Sequence, residues 1–473
     1  MKRTYSSYIA LISLIALLFS CGAPSSESNA AAVAEETAEQ KEDFKKQAPD
    51  WSKNATIYEV NVRQYTNEGT FRAFQEHLPR LEEMGIDILW FMPIHPIGVE
   101  NRKGGLGSYY SVKDYKGINP EFGTMEEFVA LVEDAHSRGM KVIIDWVANH
   151  TAWDAVWIQE GHIDWYTLDS LGGLQPPIGT DWSDVVDLNF DNEEMRLAMI
   201  DAMSFWLKEA DIDGFRCDVA EWVPDDFWNE ARPELDKVKD VFMLAEAEHV
   251  EHHDTAFDMS YAWEWHFIMN DFAQGKKSAK DVADYLEKEK RFPTSAYRLN
   301  MTSNHDENTW KGTVRERLGD AVQTTAVLSA TLFGMPLVYS GQEAGLDHRL
   351  EFFEKDSIDW TEKPLQGFYT RLMELNHQNQ ALWNGDHGAY PQIISSLNDP
   401  RVIAYSREKD GDKVVVILNM SDSERTVSMD ISPEIEGFYE ELFTGEEVEL
   451  SNGYSETLGP WYYRVYHMEA KGS

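Results

Sequence analysis

The sequence predicts an α/β chain that forms a (β/α)8 TIM barrel, with a small subdomain inserted after strand 3 and a C-terminal antiparallel β-sandwich domain. Three observations predict this fold. Short apolar runs alternate with amphipathic helical segments from residue 55 onward, as in parallel sheets that helices cover. A long stretch without helical periodicity follows the third run, and short β-rich runs begin near residue 382.

The barrel strands are expected in the apolar runs. A helix with one apolar face is predicted over residues 71–81. A capping box of Thr124 and Glu127 should open a second helix, and Gly139 should end it. The eight predicted strands span residues 56–62, 86–92, 141–146, 212–218, 241–245, 256–259, 297–302 and 336–340.

These patterns predict the domain boundaries. Residues 51–381 are expected to form the barrel, with residues 151–186 as the inserted subdomain, and residues 382–473 the C-terminal domain. Long irregular connections at the carboxyl end of a strand are usually functional. The C-terminal domain should contain strands at 402–406, 413–419, 425–429 and 461–468, with a hairpin turn at Asp410-Gly411.

The N-terminus has the pattern of an export signal. Lys2 and Arg3 precede an apolar run over residues 8–19 that is too short to span a bilayer. Because this run leads to Cys21, the segment resembles a bacterial lipoprotein signal; a plain signal peptide is the alternative. We therefore expect residues 1–20 to be removed, Cys21 to carry lipid, and residues 21–50 to form a flexible tether. The predicted location is exported and membrane-anchored, facing the periplasm or the cell surface.

Composition and short motifs exclude several functions. The chain has 83 acidic and 42 basic residues and a net charge of −41, which argues against binding to nucleic acid. The GGLG segment at 104–107 lacks the Lys-Ser/Thr of a phosphate-binding loop. His249, His252, His253 and Asp254 are interpreted as part of the rim of a substrate cleft in preference to a zinc site.

Three carboxylates follow predicted strands. Asp218, Glu246 and Asp306 each stand where an apolar run ends. A parallel barrel gathers the carboxyl ends of its strands on one face, so acids that are distant in sequence can converge. Convergent carboxylates are typical of enzymes that cleave sugar bonds.

Four sequence segments resemble the signature regions of the α-amylase family of glycoside hydrolases, in identity and in order. They are DWVANH at 145–150, GFRCD at 214–218, the strand before Glu246, and SNHD at 303–306. The resemblance implies that Asp218 is the nucleophile, Glu246 the general acid and base, and Asp306 a group that stabilises the transition state. The expected reaction is retaining hydrolysis of α-1,4-glucosidic bonds in starch, glycogen or maltooligosaccharides. The alternatives are a 4-α-glucanotransferase, a branch- or pullulan-type hydrolase, and a non-catalytic glucan-binding lipoprotein.

The resemblance also implies a set of substrate contacts. His150 and His305 should bind sugar hydroxyls, and Tyr110 should stack on the sugar. Arg216 should keep Asp218 ionised. Family members often have Lys-His where this chain has an acid and an indole, so the acceptor site should have a different shape. The predicted substrate-binding residues are Tyr110, His150, Arg216, Glu221, Trp222 and His305.

Asn149 and Asp187 resemble positions that bind a structural Ca²⁺ in many relatives. Oxygen ligands from two separate segments suit calcium. The alternative is that both side chains bind only the protein backbone. A structural Ca²⁺ is therefore an expectation, and no other cofactor is predicted.

Overall fold

The protein is described by a computed structural model over residues 48–470. Eight parallel strands close into a barrel in which sequential strands are neighbours. The predicted barrel is confirmed, and its third strand has the predicted bounds. The strands are β1 (Ile57–Val60), β2 (Ile88–Phe91), β3 (Lys141–Trp146), β4 (Gly214–Cys217), β5 (Phe242–Ala245), β6 (Met259–Tyr261), β7 (Tyr297–Met301) and β8 (Met335–Tyr339).

Helices pack on the outside of the barrel. The predicted capping box is confirmed at the start of one of them. The single helix expected over residues 71–81 is instead two helices, because Pro79 cannot donate the backbone hydrogen bond of a continuous helix and lies in the first turn of the second. The helices are α1 (Val62–Tyr65), α2 (Phe71–Gln75), α3 (Leu78–Glu83), α4 (Met125–Ser137), α5 (Val156–Gln159), α6 (Glu193–Glu209), α7 (Asp225–Asp236), α8 (Trp263–Ala273), α9 (Ala279–Glu289), α10 (Val314–Leu318), α11 (Val322–Thr331) and α12 (Gln366–Gln378).

Side chains from alternate strand positions fill the barrel interior. Ile57, Trp90 and Phe242 belong to this buried cluster. Because side chains alternate between the two faces of a strand, Glu59 points to the same side as Ile57. Its side chain is fully buried and in register with Trp90 on β2. The barrel therefore encloses a carboxylate.

Gly214 sets the register between β4 and β5. A Cβ atom at this position would lie 1.9 Å from the carbonyl oxygen of Phe242. Only glycine permits this close approach. The resulting register pairs the last residues of the two strands, so the residues that follow them, Asp218 and Glu246, emerge side by side.

The inserted subdomain contains little regular structure, as predicted. Its base is an antiparallel ribbon in which His150–Ala152 pairs with Val185–Asp187. A short 3-10 helix at Ile163–Trp165 follows α5, and its last residue, Trp165, is buried. The ribbon fixes the insertion to the carboxyl end of β3.

The C-terminal domain consists of eight antiparallel strands, which form a six-stranded sheet and a two-stranded sheet. The four predicted strands and the turn at Asp410-Gly411 are present. The other four were not predicted; two of them carry exposed acidic residues, which are depleted in strands. The strands are β9 (Gln392–Ile393), β10 (Val402–Lys409), β11 (Asp412–Asn419), β12 (Arg425–Ser428), β13 (Gly437–Glu441), β14 (Glu447–Leu450), β15 (Ser455–Leu458) and β16 (Tyr463–Met468). The six-stranded sheet has the order β9-β10-β11-β16-β13-β14, and the two-stranded sheet is β12-β15.

The predicted signal peptide, the lipidated Cys21 and nearly all of the predicted tether lie outside the described residues, and they stay predictions. Within residues 48–470, no helix has the length and apolar character needed to cross a membrane.

Candidate active site

The three predicted catalytic carboxylates line one cavity of about 480 Å³ at the carboxyl end of the barrel. The Asp218 N–H donates to the carbonyl of Trp146, and the Glu246 N–H donates to that of Cys217, both at 3.0 Å. These hydrogen bonds continue the backbone pairing of the sheet for one residue beyond β4 and β5. Asp306 reaches the same cavity from the loop after β7.

Arg216 lies beneath the carboxylates with its side chain fully buried. Its Nη1 atom lies 2.8 Å from Asp218 Oδ1 and 2.9 Å from Asp145 Oδ1. Its Nη2 atom lies 2.8 Å from Glu246 Oε2. One guanidinium therefore contacts three acids and holds their carboxylates in place.

Burial is the main influence on the acids around Arg216. It raises the pKa of the Asp218 carboxyl; Glu246 and Asp145 raise it further, and Arg216 opposes them. Burial also raises the pKa of Asp145, to about 6, against the effect of Arg216. The Arg216 guanidinium favours the ionised form of Asp218, whereas burial and the two neighbouring acids disfavour it, so an ionised Asp218 stays a prediction. The cluster therefore retains a proton more readily than separate acids would.

Val219, directly after Asp218, has a strained backbone. Its φ is 36° and its ψ is 47°, in the left-handed region that β-branched residues rarely adopt. In this conformation its N–H donates to Glu246 Oε2 at 2.9 Å. The strained turn thus helps to fix the acid next to the predicted nucleophile.

Tyr110 forms the aromatic floor of the predicted sugar subsite. Its hydroxyl donates to Asp145 Oδ2 at 3.2 Å and lies 2.8 Å from His305 Nε2. Its ring is nearly parallel to that of Phe352, with centroids 6.3 Å apart. Of the neighbouring residues Tyr109 and Tyr110, Tyr109 is buried and only Tyr110 lines the cavity.

His305 joins Tyr110 to the buried carboxylate of the barrel interior. Its Nδ1 atom lies 2.5 Å from Glu59 Oε1, and its Nε2 atom lies 3.4 Å from Asp306 Oδ2. Burial alone would lower the pKa of His305, but the two acids outweigh this and raise it to about 9. His305 is therefore an imidazolium at neutral pH, and both ring nitrogens are donors.

The Glu59→Gln variant should be less stable than wild type at low pH and more stable than wild type at high pH. A raised His305 pKa stabilises the fold fully below the unfolded value of 6.5 and loses that contribution as pH rises through about 9. Wild type should therefore be the more stable protein near pH 6.5. Above about pH 9 wild type retains a buried Glu59 carboxylate that has lost its imidazolium partner, so the variant should then be the more stable.

Urea unfolding at several pH values measures this difference. Glu343→Gln is the matched control, because Glu343 is equally buried but contacts Arg80, 2.8 Å away, which keeps its charge over this range. A difference for Glu59→Gln that is independent of pH would contradict the ion pair.

His150 and the aromatic residues of the rim form the other wall of the cavity. Burial lowers the pKa of His150 to about 4, so it is neutral and able to accept a hydrogen bond. Its ring centroid lies 5.4 Å from that of Trp182, which in turn stacks on Trp222 at 5.1 Å. Glu221 pairs with His249 at 3.5 Å. Trp182 lines the cavity and Trp222 reaches it only through this stack, whereas neither Glu221 nor Trp222 lines the cavity itself.

The predicted calcium ligands lie at the base of the insertion. Asp187 is the antiparallel strand partner of His150 in the ribbon, and Asn149 directly precedes His150. The Asn149 Nδ2 atom lies 3.2 Å from His150 Nδ1. Calcium takes about six to eight oxygen ligands, and residues 48–470 contain no group of three or more His, Cys, Asp or Glu side chains arranged to hold a metal. The two side chains do not by themselves complete a calcium shell, so bound Ca²⁺ stays a prediction.

The histidine cluster after β5 has separate partners. His252 pairs with Asp225 at 3.0 Å. His253 Nε2 lies 2.8 Å from the hydroxyl of Ser260. None of these residues lines the cavity of the three carboxylates, so the interpretation of the segment as part of the cleft rim stays a prediction.

Several residues of the site were not predicted from the sequence. Glu59 could have been found as the single acid in an apolar strand. Trp310 is half-exposed, lines the cavity, and donates from Nε1 to Asp306 Oδ1 at 3.1 Å. Lys103 and Phe352 also line the cavity, and they come from loops without a recognisable motif.

Comparisons with known proteins agree with this geometry. The family model described as "Alpha amylase, catalytic domain" matches residues 33–168 and 178–390. A second model, "Maltogenic Amylase, C-terminal domain", matches residues 392–465. Together the two models account for the barrel and the C-terminal sheet domain.

Individual relatives show the same relationship. An α-amylase of Haloarcula japonica is 30% identical over 404 residues, which are 81% of this chain but only 58% of that protein. A cyclomaltodextrinase from a Bacillus species is 25% identical over 79% of this chain and 74% of that protein. A noncanonic maltogenic α-amylase from Thermotoga neapolitana has a crystal structure with 30% identity and a TM-score of 0.80, covering 88% of this chain and 99% of that one. Because the catalytic-domain model matches more than half of the sequence, this chain belongs to the α-amylase family of glycoside hydrolases.

Proposed function

We propose that this protein hydrolyses α-1,4-glucosidic bonds of maltooligosaccharides and related α-glucans with retention of anomeric configuration. The arrangement of Asp218 and Glu246 on one guanidinium carries the proposal. Arg216 holds both acids at 2.8 Å, which keeps a nucleophile and a proton donor close to the same bond. Retaining glycosidases require such a close pair.

The first step forms a covalent intermediate. Asp218 attacks the anomeric carbon while the bond from that carbon to the leaving oxygen breaks, and Glu246 donates its proton to that oxygen. As the proton leaves Glu246, Arg216 stabilises the carboxylate that remains.

The second step restores the enzyme. Glu246 removes a proton from water, the water oxygen attacks the anomeric carbon, and the bond to Asp218 breaks. Asp306 accepts hydrogen bonds from sugar hydroxyls, and Trp310 fixes its orientation through the 3.1 Å contact. Tyr110 stacks under the sugar, whose ring carbons present an apolar face.

A glucanotransferase is the second candidate because of the aromatic surface beside the acid. Trp222 is 46% exposed and stacks on Trp182, from the insertion, at 5.1 Å. This pair lies on the side of the loops after β3 and β4, where a leaving or incoming sugar could stack. Transfer replaces water with a sugar hydroxyl in the second step and uses the same intermediate.

Incubation of wild type with maltoheptaose tests both candidates. We expect products shorter than maltoheptaose, with the α-anomer formed first in proton NMR spectra. Products longer than the substrate would identify transfer as the main reaction. Initial formation of the β-anomer would contradict retention, and binding without any product would contradict the enzymatic role.

A further inference from the structure

The loop over residues 102–107, called the rim strap below, crosses between two parts of the barrel mouth. It follows β2. At one side, Lys103 Nζ lies 3.1 Å from Asp184 Oδ1 and donates to the carbonyl of Asp181 at 3.0 Å. Both acids belong to the insertion after β3, and all three residues line the cavity. The strap is therefore bound to the insertion at the edge of the cleft.

The other side of the rim strap is bound to the loop after β8. The Leu106 N–H donates to the carbonyl of Phe353 at 2.9 Å. The Gly105 N–H donates to Glu354 Oε1 at 2.6 Å. Gly104 has a φ of +65°, and a Cβ atom there would lie 2.4 Å from that of Phe353. The glycines of the GGLG segment thus allow the two loops to meet.

Arg63 fixes the two loops from below. Its guanidinium is buried, and Nη1 donates to the carbonyls of Gly107 at 3.0 Å and Phe352 at 3.3 Å. One cation therefore bonds the end of the rim strap and the loop after β8. These contacts make a continuous connection from the insertion across to the loop after β8.

The rim strap lies opposite the general acid. In the closed barrel β1 neighbours β2 and β8, and β5 is the strand farthest from β1 around the ring. The rim strap runs from the loop after β8, past β1 and β2, to the insertion after β3, whereas Glu246 follows β5. The leaving sugar must lie near Glu246, which protonates its oxygen. Because C1 and C4 are at opposite ends of a glucose ring, the non-reducing part of the chain extends toward the strap.

We propose that the rim strap closes the non-reducing end of the cleft, so that the enzyme acts from chain ends and releases short maltooligosaccharides. This inference rests on the proposed hydrolytic function and specifies its substrate. A chain with a free and short non-reducing end fits between the strap and the catalytic acids. A long chain passing through the cleft, or a substituent on the terminal sugar, collides with the strap.

The test compares 4-nitrophenyl α-maltoheptaoside with the same compound carrying an ethylidene group on the terminal non-reducing glucose, with products separated by chromatography. We expect kcat/KM for the blocked compound to be at least ~10-fold lower. Equal cleavage of both compounds would overturn the chain-end inference and leave the hydrolytic function in place. Cleavage of neither compound would instead contradict the proposed function.

Lys103→Met tests the strap itself. The variant loses both contacts to the insertion, so the ratio of blocked to free substrate cleavage should rise. Lys116→Met is the matched control, because Lys116 forms a surface ion pair with Asp201 at 2.5 Å and does not line the cavity. The ratio of blocked to free substrate cleavage in this variant should equal that of wild type. An unchanged ratio in Lys103→Met would show that this lysine does not close the cleft.

Discussion

Asp218→Asn should lower kcat on maltoheptaose by at least ~10⁴-fold, because an amide cannot act as the carboxylate nucleophile of the first step. Glu246→Gln should lower kcat by about 10²–10⁴-fold, the usual contribution of a general acid and base. Both substitutions preserve side-chain shape. They therefore change the reaction barrier and leave the packing of the barrel unchanged.

A substrate with a good leaving group separates the two roles. Fluoride departs with little need for protonation, so Glu246→Gln should form the glycosyl-enzyme from α-maltosyl fluoride at a rate near that of wild type. Asp218→Asn should stay inactive with the same substrate. Rapid-quench mass spectrometry measures the covalent intermediate. Equal recovery of both variants, or of neither, would contradict the assigned roles.

The stability of Asp218→Asn provides a control against misfolding. Arg216 retains Asp145 and Glu246 as partners in this variant, and one of three mutually repelling carboxylates is removed. We therefore expect an equal or higher Tm together with the loss of activity. Asp201→Asn, at a 66% exposed side chain, should change neither property. A large fall in Tm for Asp218→Asn would show that its loss of activity reflects unfolding.

The carboxyl ends of β4 and β5 were predictable because each apolar run stops at an acid that the site uses, Asp218 and Glu246. The main displacement among the barrel strands concerns β6, expected at 256–259 and found at Met259–Tyr261. Asp258 accounts for it: its carboxylate binds Arg232 and accepts from the N–H of Met243. Asp258 therefore directly precedes β6 and is not part of the strand. Local pattern does not reveal such a partner on another element.

Contacts across the barrel could not be predicted from local sequence. Glu59 and His305 are separated by 246 residues and meet only when β1 and β7 enter the same closed sheet. The sequence placed Arg216 beside Asp218 but gave no sign that Asp145 and Glu246 share the same guanidinium. Arg216 alone would lower the pKa of Asp218, whereas burial, Glu246 and Asp145 raise it.

Arg216→Met should lower the free energy of unfolding by about 3–5 kcal/mol at neutral pH, the typical cost of removing one partner from a buried ion pair. Methionine approximates the length of the arginine stem but provides no charge. Loss of the guanidinium leaves three acids without the cation that contacts them. It also removes the contact of Arg216 with the ring of Trp90, whose centroid lies 5.0 Å away. Urea unfolding at several pH values measures the cost.

The cost should depend on pH in a defined direction. Burial already raises the pKa of Asp218 and that of Asp145, the latter to about 6, and removal of the cation should raise both further. A carboxyl whose folded pKa exceeds its unfolded value destabilises the fold as pH rises above that unfolded value. The deficit of Arg216→Met should therefore be small near about pH 4 and grow toward about pH 7.5.

Arg196→Met is the matched control for this pH dependence. Arg196 also contacts two acids, Asp226 at 3.2 Å and Glu230 at 2.7 Å, but both acids are largely exposed. Exposed pairs contribute about 0–1 kcal/mol, so this variant should lose little stability at any pH. If Arg216→Met lost the same small amount, the three acids would not depend on that guanidinium. The catalytic pair would then need another source of the charge balance that keeps a proton available for the leaving oxygen.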